Sequence, residues 1–308
     1  MSYADKVFKE NLRSIIEEGT STEGQKVRPH WEDGTPAYTI KQFGISNTYD
    51  LRKEFPAITV RRTALKSCMD EILWIYQKKS NNIHDLNSHI WDEWADKNGS
   101  IGKAYGYQVG KRYLHHVDDK LPLSEEYPYP SVLVQNVKGN KWNIFLDQMD
   151  GILYDLKNDP FSRRIMISLW NPGELHQMRL QPCCWNVNFC VTKDKDSDKL
   201  ILNMVLNQRS NDFIIANNWN TAQYAIFLMM VAQSCNMIAG KLVHNITDCH
   251  VYDRHIDIAK ELINRPEHAA PKVSLNPEIT DFYKFKTSDL IVEDYETEPQ
   301  IKNIPIAI

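Results

Sequence analysis

The sequence lacks the signatures of several large classes of protein. It has no excess of positive charge, since 36 lysines and arginines against 40 acidic residues give a net charge of −4. Nothing in this balance favours a nucleic acid or a membrane surface as partner. It also has no GxGxxG and no Walker sequence, so a dinucleotide or nucleoside triphosphate loop is not indicated. Any bound anion must therefore be held by a local cluster of basic residues.

Cysteine pairs and long apolar runs are missing too. The six cysteines form no CxxC pair, and Cys183 and Cys184 are adjacent, so neither a disulfide framework nor a zinc knuckle fits. Residues 1–10 are charged and lack the apolar core of a signal peptide. The most apolar stretch, residues 222–239, is interrupted by polar residues and predicts a buried helix, not a membrane span. We therefore expect a reduced, cytoplasmic protein.

What is present is the composition of an ordinary globular protein, with 42% apolar and 25% charged residues among 308. Periodicity predicts helices over 4–18, 63–79, 147–157 and 254–264, and strands over 38–43, 48–50, 165–170, 199–208 and 242–252. Gly240 is predicted to cap the buried helix. Residues 20–36 indicate a mobile loop, and 109–143 a surface insertion because periodicity is lost there. These elements predict an α/β fold with a large sheet and a long buried helix.

One stretch organises the chain, the Pro182-Cys183 pair that opens an alternating strand. Proline cannot donate to a ladder, so Cys183 falls at the strand entrance, where its side chain can reach a cleft. If the next strand is its neighbour, Arg209 can share that cleft and favour the thiolate, the nucleophilic form of cysteine. A buried structural cysteine is the commoner role for this residue type. The context has to decide between the two.

Each of the other candidate residues has a structural interpretation as well as a functional one. Glu71, on the edge of a helical apolar stripe, is either a solvated carboxylate or a partly buried acid–base group. The indoles of Trp91 and Trp94 either fill the core or form a flat surface for a planar heterocycle. The pair Arg163-Arg164 is either surface charge or a phosphate site. Alternation also places Asp248, His250 and Tyr252 on one strand face, where unpaired polar groups would be costly.

Taken in order, these motifs resemble one family, the folate-dependent thymidylate synthases, along nearly the whole chain. The resemblance rests on six segments: Glu71-Ile72-Leu73-Trp74, 90–96 with Tyr105-Gly106, Asn158 to Arg164, Gln208-Arg209-Ser210, Asp248-x-His250-x-Tyr252 and the terminal Pro-Ile-Ala-Ile. It implies a single catalytic domain over 1–308 with a large mixed or antiparallel sheet, dimerising through that sheet. The implied reaction is reductive methylation of dUMP to dTMP with 5,10-methylenetetrahydrofolate, without metal, NAD(P) or flavin.

The resemblance also implies residue roles. Cys183 would attack carbon 6 of uracil, Glu71 would steer protons through water, and Tyr105 would assist removal of the carbon-5 proton. Asn220 would read uracil, because an amide can donate to O4 and accept from N3–H together. The other implied dUMP ligands are Arg28, Arg163, Arg164, Gln208, Arg209, Ser210, Asp212, His250 and Tyr252, with Arg163 and Arg164 donated across an obligate homodimer. The implied folate ligands are Arg61, Ile90, Trp91, Trp94, Asp212, Ile215 and Ala307.

The chain departs from the family pattern at four places. Cys184 replaces the usual His after the nucleophile, and Thr247 replaces a Gly before Asp248. Residues 28–31 replace Arg-Thr-Gly-Thr, and 216–219 replace Gly-x-Pro-Phe with Ala-Asn-Asn-Trp. Cys184 is a competing nucleophile, although alternation puts it on the opposite strand face. The alternative functions are dCMP hydroxymethylation, which Asn220 disfavours, a binding protein without catalysis, and a cysteine hydrolase, which would leave the arginines unexplained.

Overall fold

The structure is a computed structural model that describes residues 2–115, 129–138 and 141–308. Its helices are α1 (Tyr3–Glu18), α2 (Leu65–Ile72), α3 (Gly106–Val109), α4 (Gln148–Asn158), α5 (Asn217–Ser234) and α6 (Ile256–Asn264). Its strands are β1 (Thr20–Ser21), β2 (Thr39–Asp50), β3 (Arg112–His115), β4 (Leu133–Lys138), β5 (Lys141–Asp147), β6 (Met166–Ser168), β7 (Cys184–Lys193), β8 (Leu200–Asp212), β9 (Ile238–Tyr252), β10 (Lys272–Leu275) and β11 (Leu290–Glu293). Within these ranges, no helix has both the length and the apolar character needed to cross a membrane.

A six-stranded sheet in the order β1-β2-β9-β8-β7-β6 carries the fold. Its pairs are antiparallel except β8 with β9, which run parallel because α5 connects them. The predicted α/β fold with a large mixed sheet is therefore confirmed. Ligands in such sheets bind beyond the carboxyl ends of parallel strands. The ends of β8 and β9 are where the sequence places Asp212 and Tyr252.

The long helix α5 is apolar on all sides, as expected for a helix inside a core. It lies against β8, β9 and α2, and its Ile226, Phe227 and Leu228 have no exposed surface. The predicted buried helix is thus confirmed, but it begins and ends earlier than 222–239. Its first turn, which includes Asn220, faces the carboxyl ends of β8 and β9.

Helix α2 continues into a π-helical turn, Leu73–Gln77, so the predicted helix 63–79 is one element with a change in winding. Single π-helical turns are rare and are frequent near functional sites. Here the turn begins two residues after Glu71, and the side chains of Trp74 and Tyr76 within it are buried.

Two predictions were wrong in detail. Residues 38–43 and 48–50 belong to one strand, β2, because its ladder with β9 accommodates Gly44 at φ 74° between paired residues. Gly240 does not cap α5 but lies within β9, where a Cβ atom would be 2.4 Å from Ile201 Cγ2. The chain turns after α5 at Asn236, which adopts φ 53°.

The predicted insertion at 109–143 contributes to a small antiparallel sheet in the order β3-β5-β4. β5 leads directly into α4, and Asp147 caps that helix. The parts of the insertion at 116–128 and 139–140 lie outside the described residues.

Candidate active site

A cleft of about 350 Å³ opens at the carboxyl ends of β8 and β9, between α2, the start of α5 and the last three residues. Sixteen of the predicted site residues line it: Arg28, Glu71, Ile90, Trp91, Trp94, Tyr105, Cys183, Gln208, Arg209, Ser210, Asp212, Ile215, Asn220, His250, Tyr252 and Ala307. Sequence reasoning assigned no role to Leu180, which also lines the cleft and stands two residues before Pro182.

Cys183 lies at the entrance of β7, as predicted, and is half-buried. Its carbonyl accepts a hydrogen bond from the backbone N–H of Arg209 at 2.9 Å, and Arg209 Nη2 lies 3.8 Å from its sulfur. The guanidinium is held in place by the carbonyls of Gln181 and Pro182, at 2.8 and 3.0 Å. The predicted pairing of thiol and arginine is therefore present.

Burial and nearby positive charge act in opposite directions on the pKa of Cys183. Burial raises the pKa of the Cys183 thiol above its ordinary value, and the positive charges of Arg209 and Arg28 offset this only in part. The arginines favour the thiolate as expected, but desolvation outweighs them.

Cys184 has a different environment. It is buried at 4% exposure, and a bulge in the β7–β8 ladder between Cys184 and Asn186 separates it from the regular alternation. Burial raises the pKa of its thiol well above the ordinary value, with the neighbouring Cys183 and Glu71 adding to the effect. Its burial argues against a role as the nucleophile.

Glu71 lies at the bottom of the cleft, buried at 6% exposure. Each carboxylate oxygen accepts one indole N–H at 2.7 Å, Oε1 from Trp91 and Oε2 from Trp219. Burial raises the pKa of Glu71, whereas these hydrogen bonds lower it in part. The solvated-flank alternative is therefore wrong.

Tyr105 contacts the backbone of the nucleophile. Its hydroxyl accepts a hydrogen bond from the backbone N–H of Cys183 at 3.1 Å, and its ring meets that of Trp91 edge-on at 4.9 Å. The backbone of Tyr105 has φ 43° and ψ −103°, an unfavourable conformation for a residue with a side chain. Such strain is concentrated at functional sites.

A chain of hydrogen bonds sets the orientation of Asn220. His244 Nε2 donates to Gln208 Oε1 at 2.7 Å, and Gln208 Nε2 donates to Asn220 Oδ1 at 3.0 Å. Burial lowers the pKa of His244 to about 3, so its imidazole is neutral. The amide of Asn220 is thus held with its oxygen towards Gln208.

The strand face of β9 provides the second polar wall. Asp248 Oδ1 bonds His250 Nδ1 at 2.8 Å, and the ring of His250 meets that of Tyr252 edge-on at 5.1 Å. The parallel register sets Ser210 beside Asp248 and Asp212 beside His250. Asp212 also accepts the backbone N–H groups of Ile214 and Ile215, both at 3.0 Å, which fixes the turn into α5.

The mouth of the cleft is formed by two distant segments that bond to each other. The backbone N–H of His30 donates to the carbonyl of Ile308 at 2.8 Å, and the N–H of Ile308 returns a bond of 3.0 Å to the carbonyl of His30. Trp31 anchors the first segment by donating to Asp253 Oδ1 at 3.0 Å. These contacts hold Arg28 and the C-terminal residues next to each other over the cleft.

Three predicted residues lie elsewhere. Arg61 is buried at 4% exposure and donates to the carbonyl of Ile214 and to Asn218 Oδ1, so the predicted contact with a folate tail has no geometric support. Arg163 and Arg164 are exposed and outside the cleft of their own chain. Arg163 instead borders a shallow groove on the open face of β7, β8 and β9.

The family model described as thymidylate synthase matches residues 6–307. The chain belongs to the thymidylate synthase family. Relatives include the thymidylate synthase of Bacillus mojavensis, 37% identical, and that of Bacillus phage phi3T, 36% identical, each over 96% of both chains. The solved structure of thermostable thymidylate synthase A from Bacillus subtilis superposes with a TM-score of 0.82 at 35% identity, covering 100% of each chain. The protein is thus a methyltransferase of the family that converts dUMP to dTMP.

Proposed function

We propose that the protein catalyses reductive methylation of dUMP, with 5,10-methylenetetrahydrofolate as one-carbon donor and reductant and dihydrofolate as second product. This places it in de novo dTMP biosynthesis. The observation that carries the proposal is the convergence of Cys183, Arg209, Asn220 and Glu71 on one cleft. A thiol beside a guanidinium, a uracil-reading amide and a buried carboxylate are the groups that this reaction requires.

We infer that dUMP lies along the carboxyl ends of β8 and β9. Arg209 and Ser210 hold its phosphate together with Arg28, whose side chain reaches the same cleft. Asn220 accepts N3–H and donates to O4, an orientation that Gln208 fixes. His250 and Tyr252 hold the 3′-hydroxyl. A bound phosphate would sit close to Arg28 and Arg209, the two residues whose charges act on Cys183.

In the proposed chemistry, the Cys183 sulfur bonds carbon 6 of uracil and the ring electrons move to make carbon 5 nucleophilic. Carbon 5 bonds the methylene carbon of the folate as the bond between that carbon and folate N10 breaks, and Tyr105 assists loss of the carbon-5 proton. The bond between the methylene carbon and folate N5 then breaks, which leaves an exocyclic methylene on the pyrimidine and releases tetrahydrofolate as the hydride donor. Folate supplies both the methylene group and the hydride, so it leaves as dihydrofolate, and the carbon–sulfur bond breaks to release dTMP. Glu71 accepts and returns protons through water at the pyrimidine carbonyl and the folate.

The folate is proposed to lie against the indoles and the C-terminal residues. Ile90, Trp91, Trp94, Asp212, Ile215 and Ala307 line the same cleft, and the predicted contact with Arg61 is not carried forward. The flat indoles suit a planar pterin. No metal, NAD(P) or flavin enters this proposal, because folate is itself the reductant.

We also propose an obligate homodimer in which Arg163 and Arg164 reach the partner's dUMP phosphate. Two observations support it: both arginines are exposed outside the cleft, and Arg163 borders a groove that runs over the sheet face opposite α5. That face exposes Cys190, while Asn188 and Val205 are half-buried on it. An uncovered sheet face of this kind is typical of an interface. A cytoplasmic location and independence from nucleic acid and membranes stay predictions.

The experiment follows dihydrofolate appearance by absorbance, with purified protein, 5,10-methylenetetrahydrofolate and either dUMP or dCMP. We expect dihydrofolate with dUMP and none with dCMP. A signal with dCMP alone would show that Asn220 has been misassigned. Folded, dimeric protein that forms no dihydrofolate from dUMP would overturn the proposed reaction.

A further inference from the structure

The carboxylate of Glu71 has a second indole partner that the sequence pattern does not suggest. Trp219 occupies the position at which the Gly-x-Pro-Phe segment of the family has Phe, whose ring cannot donate a hydrogen bond. Here its Nε1–H lies 2.7 Å from Glu71 Oε2, matching the 2.7 Å bond from Trp91 to Oε1. We propose that Trp219 is a positioning residue, which holds the Glu71 carboxylate ionised and oriented for proton transfer. This inference rests on the proposed function of Glu71.

The chemistry of the pair supports this role. An indole N–H can only donate, so it bonds best to the ionised form of a carboxyl group. Glu71 is 6% exposed, and its burial by itself favours the neutral acid. The bonds from Trp219 and Trp91 oppose the rise that burial causes in the Glu71 pKa. With one indole donor on each oxygen, rotation of the carboxylate would break both indole hydrogen bonds.

Trp219 is itself held rigidly. It lies in the first turn of α5, one residue before Asn220, and its neighbour Asn218 fixes that turn. The Asn218 amide donates to Thr63 Oγ1 at 2.9 Å and accepts from Arg61 Nη2 at 2.8 Å. The unusual residues at 218 and 219 therefore join α5 to α2 and to the segment before it. They connect the residue that reads the base to the residue that moves protons.

Few other groups near Glu71 can titrate in the neutral range. Those that interact with it electrostatically are Cys68, Asp70, Tyr76, Tyr105 and Cys184. Burial raises the pKa of each of these thiols and phenols, so they stay neutral around pH 7. Trp219 and Trp91 are the two indole donors to Glu71, so a shift shared by Trp219→Phe and Trp91→Phe identifies Glu71 as the group concerned, as distinct from Asp70 and from the nucleophile Cys183.

The test compares kcat/KM for dUMP against pH, by dihydrofolate appearance, in wild type and Trp219→Phe. A second variant replaces Trp219 by benzothienylalanine, which keeps the two-ring shape and loses only the N–H. Trp91→Phe removes the other donor to Glu71. Trp31→Phe is the matched control, because it removes an indole–carboxylate bond of 3.0 Å to Asp253, away from Glu71.

Loss of a donor raises the pKa of Glu71, so the acidic limb of the profile must move to higher pH. At a fixed pH on that limb, we expect kcat/KM of both position-219 variants to fall about ten- to a hundredfold further than at the optimum, as loss of a hydrogen bond to a charged group implies. Trp91→Phe should move the same limb in the same direction. Trp31→Phe should leave the midpoint of the acidic limb at the wild-type pH, whatever its effect on the rate.

The outcomes separate this inference from the proposed function. A wild type without dihydrofolate formation would overturn the proposed function. If the wild type is active but the acidic limb of the benzothienylalanine variant lies at the same pH as that of the wild type, the role of Trp219 alone is overturned. If Trp219→Phe does not fold, as judged by its thermal melting, the benzothienylalanine variant decides the result, because its ring fills the same space.

Discussion

The two sides of the cleft are built differently. On one side, Arg209, Ser210, His250 and Tyr252 lie on β8 and β9, and the ladder between these strands sets their spacing. On the other, Arg28 and the C-terminal residues come from distant parts of the chain and meet through two backbone bonds between His30 and Ile308. The proposed dimer would add Arg163 from a third direction. Displacing the residues on β8 and β9 would break a strand ladder. Displacing Arg28 and the C-terminal residues would break only a few hydrogen bonds.

The comparison indicates that the two sides of the cleft have different roles. The groups proposed to hold the phosphate and the sugar lie on the sheet, and Cys183 directly precedes β7, so the strand ladders fix their positions. Groups that close over the ligand are on segments with fewer attachments, as expected for parts that must open to release product. Three sets of variants test this division, beginning with the largest expected effect.

Cys183→Ser tests the fixed side. We expect kcat to fall by on the order of a thousandfold or more, because a hydroxyl is a far weaker nucleophile than a thiolate, while dUMP binding stays measurable. Dihydrofolate rates and calorimetric dUMP titration give the two quantities. Cys184→Ser is the matched control and should retain most of its kcat. Full activity in Cys183→Ser would move the nucleophile to Cys184.

Mixing inactive chains tests whether Arg163 acts on its own cleft or on a partner's. Arg163→Ala and Cys183→Ser chains should regain about a quarter of wild-type activity when mixed equally, since half the dimers are hybrids with one intact site. Arg209→Ala mixed with Cys183→Ser is the control and should regain nothing, because both residues belong to the same cleft. Absence of rescue in the first mixture, with hybrids verified by mass spectrometry, would argue against donated arginines.

Deletion of Ile308 tests the closing side and should have the smallest effect. It removes both backbone bonds to His30, so we expect kcat/KM for folate to fall about tenfold while the Kd for dUMP changes little. Ile308→Ala keeps those backbone bonds and should cost less. Equal losses in folate turnover and dUMP binding would show that these residues are structural rather than part of closure.

Much of the fixed side could be predicted from the sequence. Alternation along a strand shows which residues share a face, so Asp248, His250 and Tyr252 were grouped correctly, and Pro182 located Cys183 at a strand entrance. The α/β fold followed from the same periodicities. These signals are local, and the ladder between β8 and β9 turns them directly into three-dimensional positions.

The rest depended on contacts between distant residues. Arg61 was assigned to the folate by resemblance to the family, and nothing near it in sequence shows that Asn218 and Ile214 bind its guanidinium inside the protein. The Trp219 to Glu71 bond was missed for the same reason. Gly240 has the residue type of a helix cap, but the close approach of β8 explains it. The balance between burial and arginine at Cys183 requires the structure, because sequence does not give desolvation.

The parallel pairing of β8 and β9 also has a consequence for how the protein folds. These strands and α5 form one β-α-β unit whose contacts join residues close in sequence. The partner of β9 on its other side, β2, comes from near the start of the chain. Contacts over shorter loops cost less entropy to form and tend to form earlier. The strands that carry Arg209 and His250 can therefore pair before the segments that cover them have found their places.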